Sequence, residues 1–338
     1  MRPKLLPGRP PPITEGGLVR TQKTPSFSFE FFPPKDEPGK ARLAETARQL
    51  APLGPEYVSV TFGAGGSTRE GTYQAVREIG ASTGLEVAPH LSCLGSSREA
   101  LTELLERYRA LGVRRIVALR GDKPRQGQEL PAGPMQYANE LVAFVREFGG
   151  FSISVGCYPE FHPESPDPET DIRNFVRKVE AGASEAITQY FFNNDAYSAF
   201  LDGVRRHRVD IPIIPGLMPL TDYASVARFS AFCGAEIPAW IRKRMEAMAT
   251  DPASQKAFGI ELACRQVEDL LRRGAPGIHF YTLNKAEATL RIWQNLGFSA
   301  AAHEEPSAKG VRQSQVVVRS GVREGQPKSR KTGTASTG

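Results

Sequence analysis

Short apolar runs rich in β-branched and aromatic residues alternate along the chain with longer stretches whose apolar positions recur every three or four residues. The short runs predict strands at 26–32, 56–62, 85–91, 114–120, 151–158, 185–192, 211–216 and 277–282. The longer stretches predict helices at 38–53, 68–82, 97–111, 135–148, 169–181, 195–207, 221–233 with 238–272, and 285–297. Gly112 ends the third helix and Gly182 the fifth, while Asp195 and Thr221 are candidate caps for the next two. Strict alternation of strand and helix implies parallel strands joined by right-handed crossovers. Eight such units in about 275 residues favour a closed α/β (β/α)8 TIM barrel. An open doubly wound sheet shares the same alternation.

Composition narrows the class. Of 338 residues, 40% are hydrophobic and 24% charged, the balance of a soluble globular protein. The net charge is +6, but residues 1–24 and 301–338 each carry +4, leaving the body at −2. The basicity belongs to polar, Pro-rich or Gly-rich ends, so 1–24 and 300–338 are expected to be disordered tails around a 25–299 barrel. The body has no electrostatic footprint for nucleic acid. Cys93, Cys157, Cys233 and Cys264 are widely spaced and expected to be free thiols in a reducing compartment. The N-terminus has no apolar signal core, and no run approaches a membrane span, so a cytoplasmic protein is expected.

Chemistry concentrates where barrels place it, at the C-terminal ends of strands. Those ends read Glu30, Thr61, His90, Arg120-Gly121-Asp122, Tyr158 with Glu160 and His162, Gln189, and Asn284-Lys285. One polar strand end means little; a nearly complete ring of them points to an enzyme. Glu30 lies in Ser26-Phe27-Ser28-Phe29-Glu30-Phe31-Phe32. Four Phe neighbours suggest a low-dielectric pocket that raises the carboxyl pKa and keeps a proton available for donation. The plainer alternative is a solvent-facing Glu or one paired with Lys35. His90 also reads as a hydrogen-bonded core histidine, and Arg120 and Asp122 as a pair within one Gly turn. His162 with Glu160 and Glu164 invites a metal reading, but no second His lies nearby and prolines splay the segment, so no metal is expected. Asp171, Asn174, Arg177 and Lys178 share one helix face, suited either to solvent or to a ribose and pyrophosphate. Gly63-Ala64-Gly65-Gly66-Ser67-Thr68 has Thr68 where a dinucleotide fingerprint needs Gly, and reads as a tight turn.

These segments, in order, resemble the methylenetetrahydrofolate reductases of the short bacterial type. The resemblance is carried by Ser28-Phe29-Glu30-Phe31-Phe32-Pro33-Pro34-Lys35, Val58-Ser59-Val60-Thr61-Phe62-Gly63-Ala64, Ala88-Pro89-His90-Leu91 and Ile116-Val117-Ala118-Leu119-Arg120-Gly121-Asp122. Tyr158-Pro159-Glu160-Phe161-His162-Pro163-Glu164, Ala186-Ile187-Thr188-Gln189 and His279-Phe280-Tyr281-Thr282-Leu283-Asn284 complete it. The resemblance implies a barrel that holds FAD without a Rossmann domain. NADH or NADPH would reduce the flavin, and 5,10-methylenetetrahydrofolate would then take up hydride to give 5-methyltetrahydrofolate. It makes Glu30 the acid that opens the imidazolidine ring, and Asp122 a folate contact that also acts on the flavin electrostatically. It assigns Thr61, Phe62, Ala64, His90, Arg120, Gly121, Asp122, Tyr137, Ala138, Tyr158, His162, Ser165, Asp171, Asn174, Arg177 and Lys178 to the FAD site. Gln189, Ser225, Phe229 and Lys285 fall at folate positions; Ser225 stands where a Gln is common, and Lys285 where Arg is.

The choice between NADH and NADPH is not written in the sequence, and a homo-oligomer is expected from the resemblance. Two other readings compete: a flavin-free barrel that transfers a methyl or pteroate group, and a binding module whose basic tails dock on an acidic partner.

Overall fold

A computed structural model describes residues 25–62, 67–122 and 133–298. The strands are β1 (Ser26–Phe31), β2 (Tyr57–Val60), β3 (Val87–Ser92), β4 (Arg115–Leu119), β5 (Ser152–Cys157), β6 (Glu185–Thr188), β7 (Ile213–Ile214), β8 (Gly216–Leu217) and β9 (Gly277–Tyr281). The helices are α1 (Glu37–Leu50), α2 (Ser67–Thr83), α3 (Arg98–Ala110), α4 (Ala138–Phe148), α5 (Pro168–Ala181), α6 (Asn194–Arg206), α7 (Tyr223–Cys233), α8 (Ala239–Ala247), α9 (Pro252–Arg272) and α10 (Glu287–Asn295). Every pairing is parallel, in the order β7-β6-β5-β4-β3-β2-β1-β9-β8.

Closure is made by one strand in two pieces. β7 pairs with β6, and β8 pairs with β9, so together they are the seventh strand of a (β/α)8 TIM barrel. The expected continuous strand at 211–216 is broken at Pro215, which has no N–H for the ladder but accepts His279 N–H at its carbonyl. Gly216 is required there: a Cβ would land on the Thr188 carbonyl and the Tyr281 ring.

Other boundaries shift for local reasons. β6 ends at Thr188, not 192, because Tyr190 and Phe192 turn away to pack with Met218, Leu220 and Val226. The stretch 238–272 is two helices, with Asp251 capping Ser254 N–H and Pro252 starting the second. Asn193 and Asp222 cap α6 and α7, displacing Asp195 and Thr221; Asn193 Oδ1 accepts from Asp195 N–H, and Asp222 Oδ1 from Ser225 N–H. The expected disordered tails, 1–24 and 300–338, and the Gly turn at 63–66 lie outside the described residues.

Strand alternation sorts the side chains into two layers. Phe29, Phe31, Val58 and Val60 point outward into the helix-facing core, where Phe27 and Phe29 meet Trp293 of α10 at 4.7 and 6.3 Å between ring centroids. Inside the barrel Tyr57, Ala88, Val117 and Ile187 form an apolar plug. Beneath it Glu185 Oε1 accepts from Tyr57 Oη (3.0 Å), Ser154 Oγ (3.0 Å) and Arg115 Nη1 (2.9 Å). Among the described residues no helix is long and apolar enough to cross a membrane.

Candidate active site

Glu30 occupies the inner face of β1, opposite its Phe neighbours. Its Oε2 lies 3.3 Å from Nε2 of His90 on β3 and 3.5 Å from Nε2 of His279 on β9. The His279 contact has hydrogen-bond geometry; His90 Nε2 stands off the hydrogen-bond direction and acts as a close charge partner. His279 is fully buried, and its Nδ1 hydrogen-bonds Ser28 Oγ at 2.7 Å. Ser28 and His279 are direct cross-strand partners, as are Glu30 and Tyr281, so register alone assembles this group.

The expectation of a raised Glu30 pKa is overturned. Burial does push it up, but the hydrogen bond from His279 and the close approach and positive charge of both His279 and His90 outweigh burial and hold the carboxyl at about 2. Of the Phe residues that suggest an apolar pocket, Phe27, Phe29 and Phe31 pack into the helix-facing core and Phe32 is 43% exposed. Pairing with solvent or Lys35 is likewise replaced by the histidines. His90 is a buried histidine, but its Nε2 faces Glu30 in place of the hydrogen bond that the core reading expects.

A second group gathers across the mouth, on β4, β5 and α5. Arg120 does not pair with Asp122; its guanidinium forks onto Glu164, Nη2 to Oε1 at 2.7 Å and Nη1 to Oε2 at 3.0 Å. Gly121 (φ 91°) allows this turn, since a Cβ would strike Ser92 Oγ. Tyr158 meets His162 edge-on at 4.6 Å, and burial raises the Tyr158 phenol. Burial, then the charge of Arg120, lowers the His162 pKa. On α5, Asp171 is buried and accepts from Ser165 Oγ at 2.9 Å. Asn174 accepts from Arg177, which is exposed. Lys178 Nζ donates to Gly156 O at 2.5 Å, with burial pushing its pKa down. Glu160 is drawn off to Glu236 N–H. No group of three His, Cys, Asp or Glu suited to a metal occurs among the described residues.

The remaining candidates take varied positions. Thr61 and Phe62 are half-buried after β2, while Asp122 is exposed. Tyr137 caps α4 with its ring out, Ala138 begins that helix, and Ala64 lies outside the described residues. Gln189 is half-buried, with Oε1 accepting Tyr190 N–H. Ser225 Oγ donates to Asp222 Oδ2 in the α7 cap, Phe229 is 50% exposed, and Lys285 is exposed with its field on Asp222.

Sequence reasoning did not single out His279, Ser28 or the Tyr57–Glu185–Arg115 group. A signal existed: in Gly277–Tyr281 the inward positions are His279 and Tyr281, between outward Ile278 and Phe280. All four cysteines are free, as expected.

The comparisons with known proteins converge on one family. The methylenetetrahydrofolate reductase family model matches residues 18–297. The 5,10-methylenetetrahydrofolate reductase of Pectobacterium carotovorum is 39% identical over 280 residues, 83% of this chain and 93% of the relative. The Escherichia coli enzyme of the same name is 38% identical over the same shares. Among solved structures, an uncharacterized Clostridium thermocellum protein that binds two copies of 5-methyl-5,6,7,8-tetrahydrofolic acid superposes with a TM-score of 0.54. That match covers 82% of this chain and 95% of the other at 15% identity, a likeness of fold. With a closed barrel and Glu30 set between two histidines at its mouth, the chain belongs to the methylenetetrahydrofolate reductase family.

Proposed function

We propose that this protein reduces 5,10-methylenetetrahydrofolate to 5-methyltetrahydrofolate, using FAD that NADH or NADPH reduces in turn. The observation that carries the reading is the position of Glu30: one carboxylate at a barrel mouth, touched by two imidazoles, in a chain of this family.

The donor set fits FAD. Lys178 is a half-buried cation with three N–H donors; among the described residues its one hydrogen bond goes to Gly156 O. With Arg177, Asn174 and Ser165 on the same side, it can receive a pyrophosphate and ribose. Arg120 and Tyr158 bring charge and an aromatic body beside it. When bound, the flavin supplies hydride chemistry that no side chain can.

The chain's own residues handle the proton. Opening the imidazolidine ring requires a proton at a ring nitrogen. At neutral pH the free carboxylate of Glu30 is charged, so it acts together with His279 and His90. His279, in hydrogen-bond geometry with the carboxylate at 3.5 Å, gives the path by which a proton reaches Glu30 and passes on to the substrate. Glu30 is 17% exposed, and a flat ligand over the mouth removes that remaining water, raising the carboxyl pKa toward donation. Asp122, Gln189, Phe229 and Lys285 are proposed as folate contacts, with Phe229 presenting a free ring for stacking and Lys285 a point charge.

The test separates two half-reactions. Purified protein should carry or take up FAD, and the flavin should be reduced by NADH or NADPH and reoxidised by methylenetetrahydrofolate. Glu30→Gln should leave FAD binding and NAD(P)H oxidation with a quinone acceptor largely intact while nearly abolishing folate reduction. A colourless protein that takes up no FAD sinks the proposal, and equal loss of both half-reactions sinks the role of Glu30.

A further inference from the structure

Past Phe31, β1 runs into Phe32 and then Pro33-Pro34, which have no N–H to donate. Phe32 is therefore the last residue able to make a two-sided backbone contact at this end of the strand. The neighbouring β9 has already ended at Tyr281 and turned away through Leu283 (φ 51°) and Asn284 (φ 54°). Two consecutive non-glycine residues in the left-handed region cost about 1–2 kcal/mol each.

What offsets that cost is visible around Asn284. Its Oδ1 accepts from Phe32 N–H at 3.0 Å and its Nδ2 donates to Phe32 O at 2.9 Å. The side-chain amide thus stands in for a peptide unit, extending the β1–β9 ladder one step beyond the point where the β9 backbone leaves it. The Asn284 carbonyl accepts from Thr46 Oγ1 of α1 at 3.1 Å, and its N–H donates to Thr282 Oγ1 at 3.2 Å. Thr282 Oγ1 in turn donates to the carbonyl of Glu30 itself at 2.6 Å. The backbone on both sides of Phe31 is thereby fixed to one corner of the barrel. Left-handed geometry is what aims the amide at Phe32, and Asn is among the few side-chain-bearing residues that adopt it readily.

We propose that Asn284 is a positioning residue: its clamp on Phe32, with Thr282 on Glu30 O, holds the Glu30 carboxylate against His279 and His90. The inference rests on the proposed role of Glu30 as proton donor. It does not require Asn284 to touch a ligand.

Asn284→Gly tests it, because Gly accepts the backbone angle without strain and removes only the clamp. In the ligand-free protein the Glu30 carboxyl, followed by infrared difference spectroscopy against Glu30→Gln, should titrate about one pH unit or more higher once it drifts from the imidazoles. In the flavin-loaded protein, folate reduction should fall about 10-fold or more while NAD(P)H oxidation with a quinone changes less than about 3-fold. An unchanged Glu30 titration overturns the proposal, as does an equal fall in both half-reactions. Should Asn284→Gly not fold, Asn284→Asp, which keeps the acceptor for Phe32 N–H and loses the donor to Phe32 O, carries the same comparison. If the parent protein shows no folate half-reaction, the functional reading fails, and the titration still decides whether Asn284 positions Glu30.

Discussion

Glu30 and His279 face each other across the β1–β9 seam with 3.5 Å between Oε2 and Nε2. His279 is held from behind by Ser28, so the ring cannot turn away without losing a 2.7 Å hydrogen bond. His90 approaches the same carboxylate oxygen from β3. A carboxylate so placed is held charged by its neighbours, which differs from a lone acid kept neutral by apolar walls.

That placement gives the fold a pH signature. The folded pKa of about 2 lies below the reference 4.5, so the unfolded chain binds more protons between those values. The stability Glu30 contributes is complete above about pH 4.5 and is lost as pH falls toward 2. Over the whole window this amounts to about 3 kcal/mol, of which about 2 kcal/mol is gone by pH 3. Urea unfolding at pH 6 and pH 3 should show the gap between parent and Glu30→Gln shrinking by that amount. A gap independent of pH would mean that the carboxylate is not held charged.

Phe29 supplies the complementary test. It is fully buried, yet it points into the helix-facing core. Phe29→Leu should cost about 1–2 kcal/mol in stability and leave the Glu30 titration where it is. Were the Phe residues setting the acidity of Glu30, the same change would move that titration.

The contrast shows what was legible beforehand. The alternation of apolar runs and amphipathic stretches gave eight units and hence the barrel, because that alternation is local. Strand ends named Glu30, His90 and Arg120 for the same reason. The partner of Glu30 was hidden since His279 lies 249 residues away, and only strand register brings it alongside. Phe neighbours along the chain do not set the Glu30 pKa, because in a strand the adjacent residues belong to the opposite face. Arg120 followed the same lesson, finding Glu164 in place of Asp122.

Lys178 should report on the cofactor directly. If its spare donors meet phosphate oxygens, Lys178→Met weakens FAD binding by about 10- to 100-fold, the loss of one charge-assisted contact. Flavin fluorescence titration of the apoprotein measures this without any turnover. Thermal unfolding of the apoprotein should change little, because the protein loses one hydrogen bond to Gly156 O and a long 5.8 Å approach to the Phe175 ring, while it no longer buries a charge. An unaltered flavin affinity would remove Lys178 from the cofactor site.

The floor of the barrel should behave as one unit. Glu185 Oε1 collects hydrogen bonds from Tyr57, Ser154 and Arg115, and the Arg115 guanidinium also lies 4.2 Å from the centre of the Tyr57 ring. Tyr57→Phe leaves the carboxylate two donors, so it should cost only about 1–2 kcal/mol. Glu185→Ala strands the phenol and Ser154 and takes one of two close carboxylates from a mostly buried Arg115, which keeps Glu56 at 2.8 Å, so about 2–4 kcal/mol is expected. Once Glu185 is gone, the Tyr57 hydroxyl has lost this acceptor. The double variant should therefore be hardly less stable than Glu185→Ala alone, a shortfall from additivity of about 1–2 kcal/mol. Full additivity in urea unfolding would show that Tyr57 and Glu185 contribute separately, and that the hydrogen bond between them adds nothing to closing the barrel.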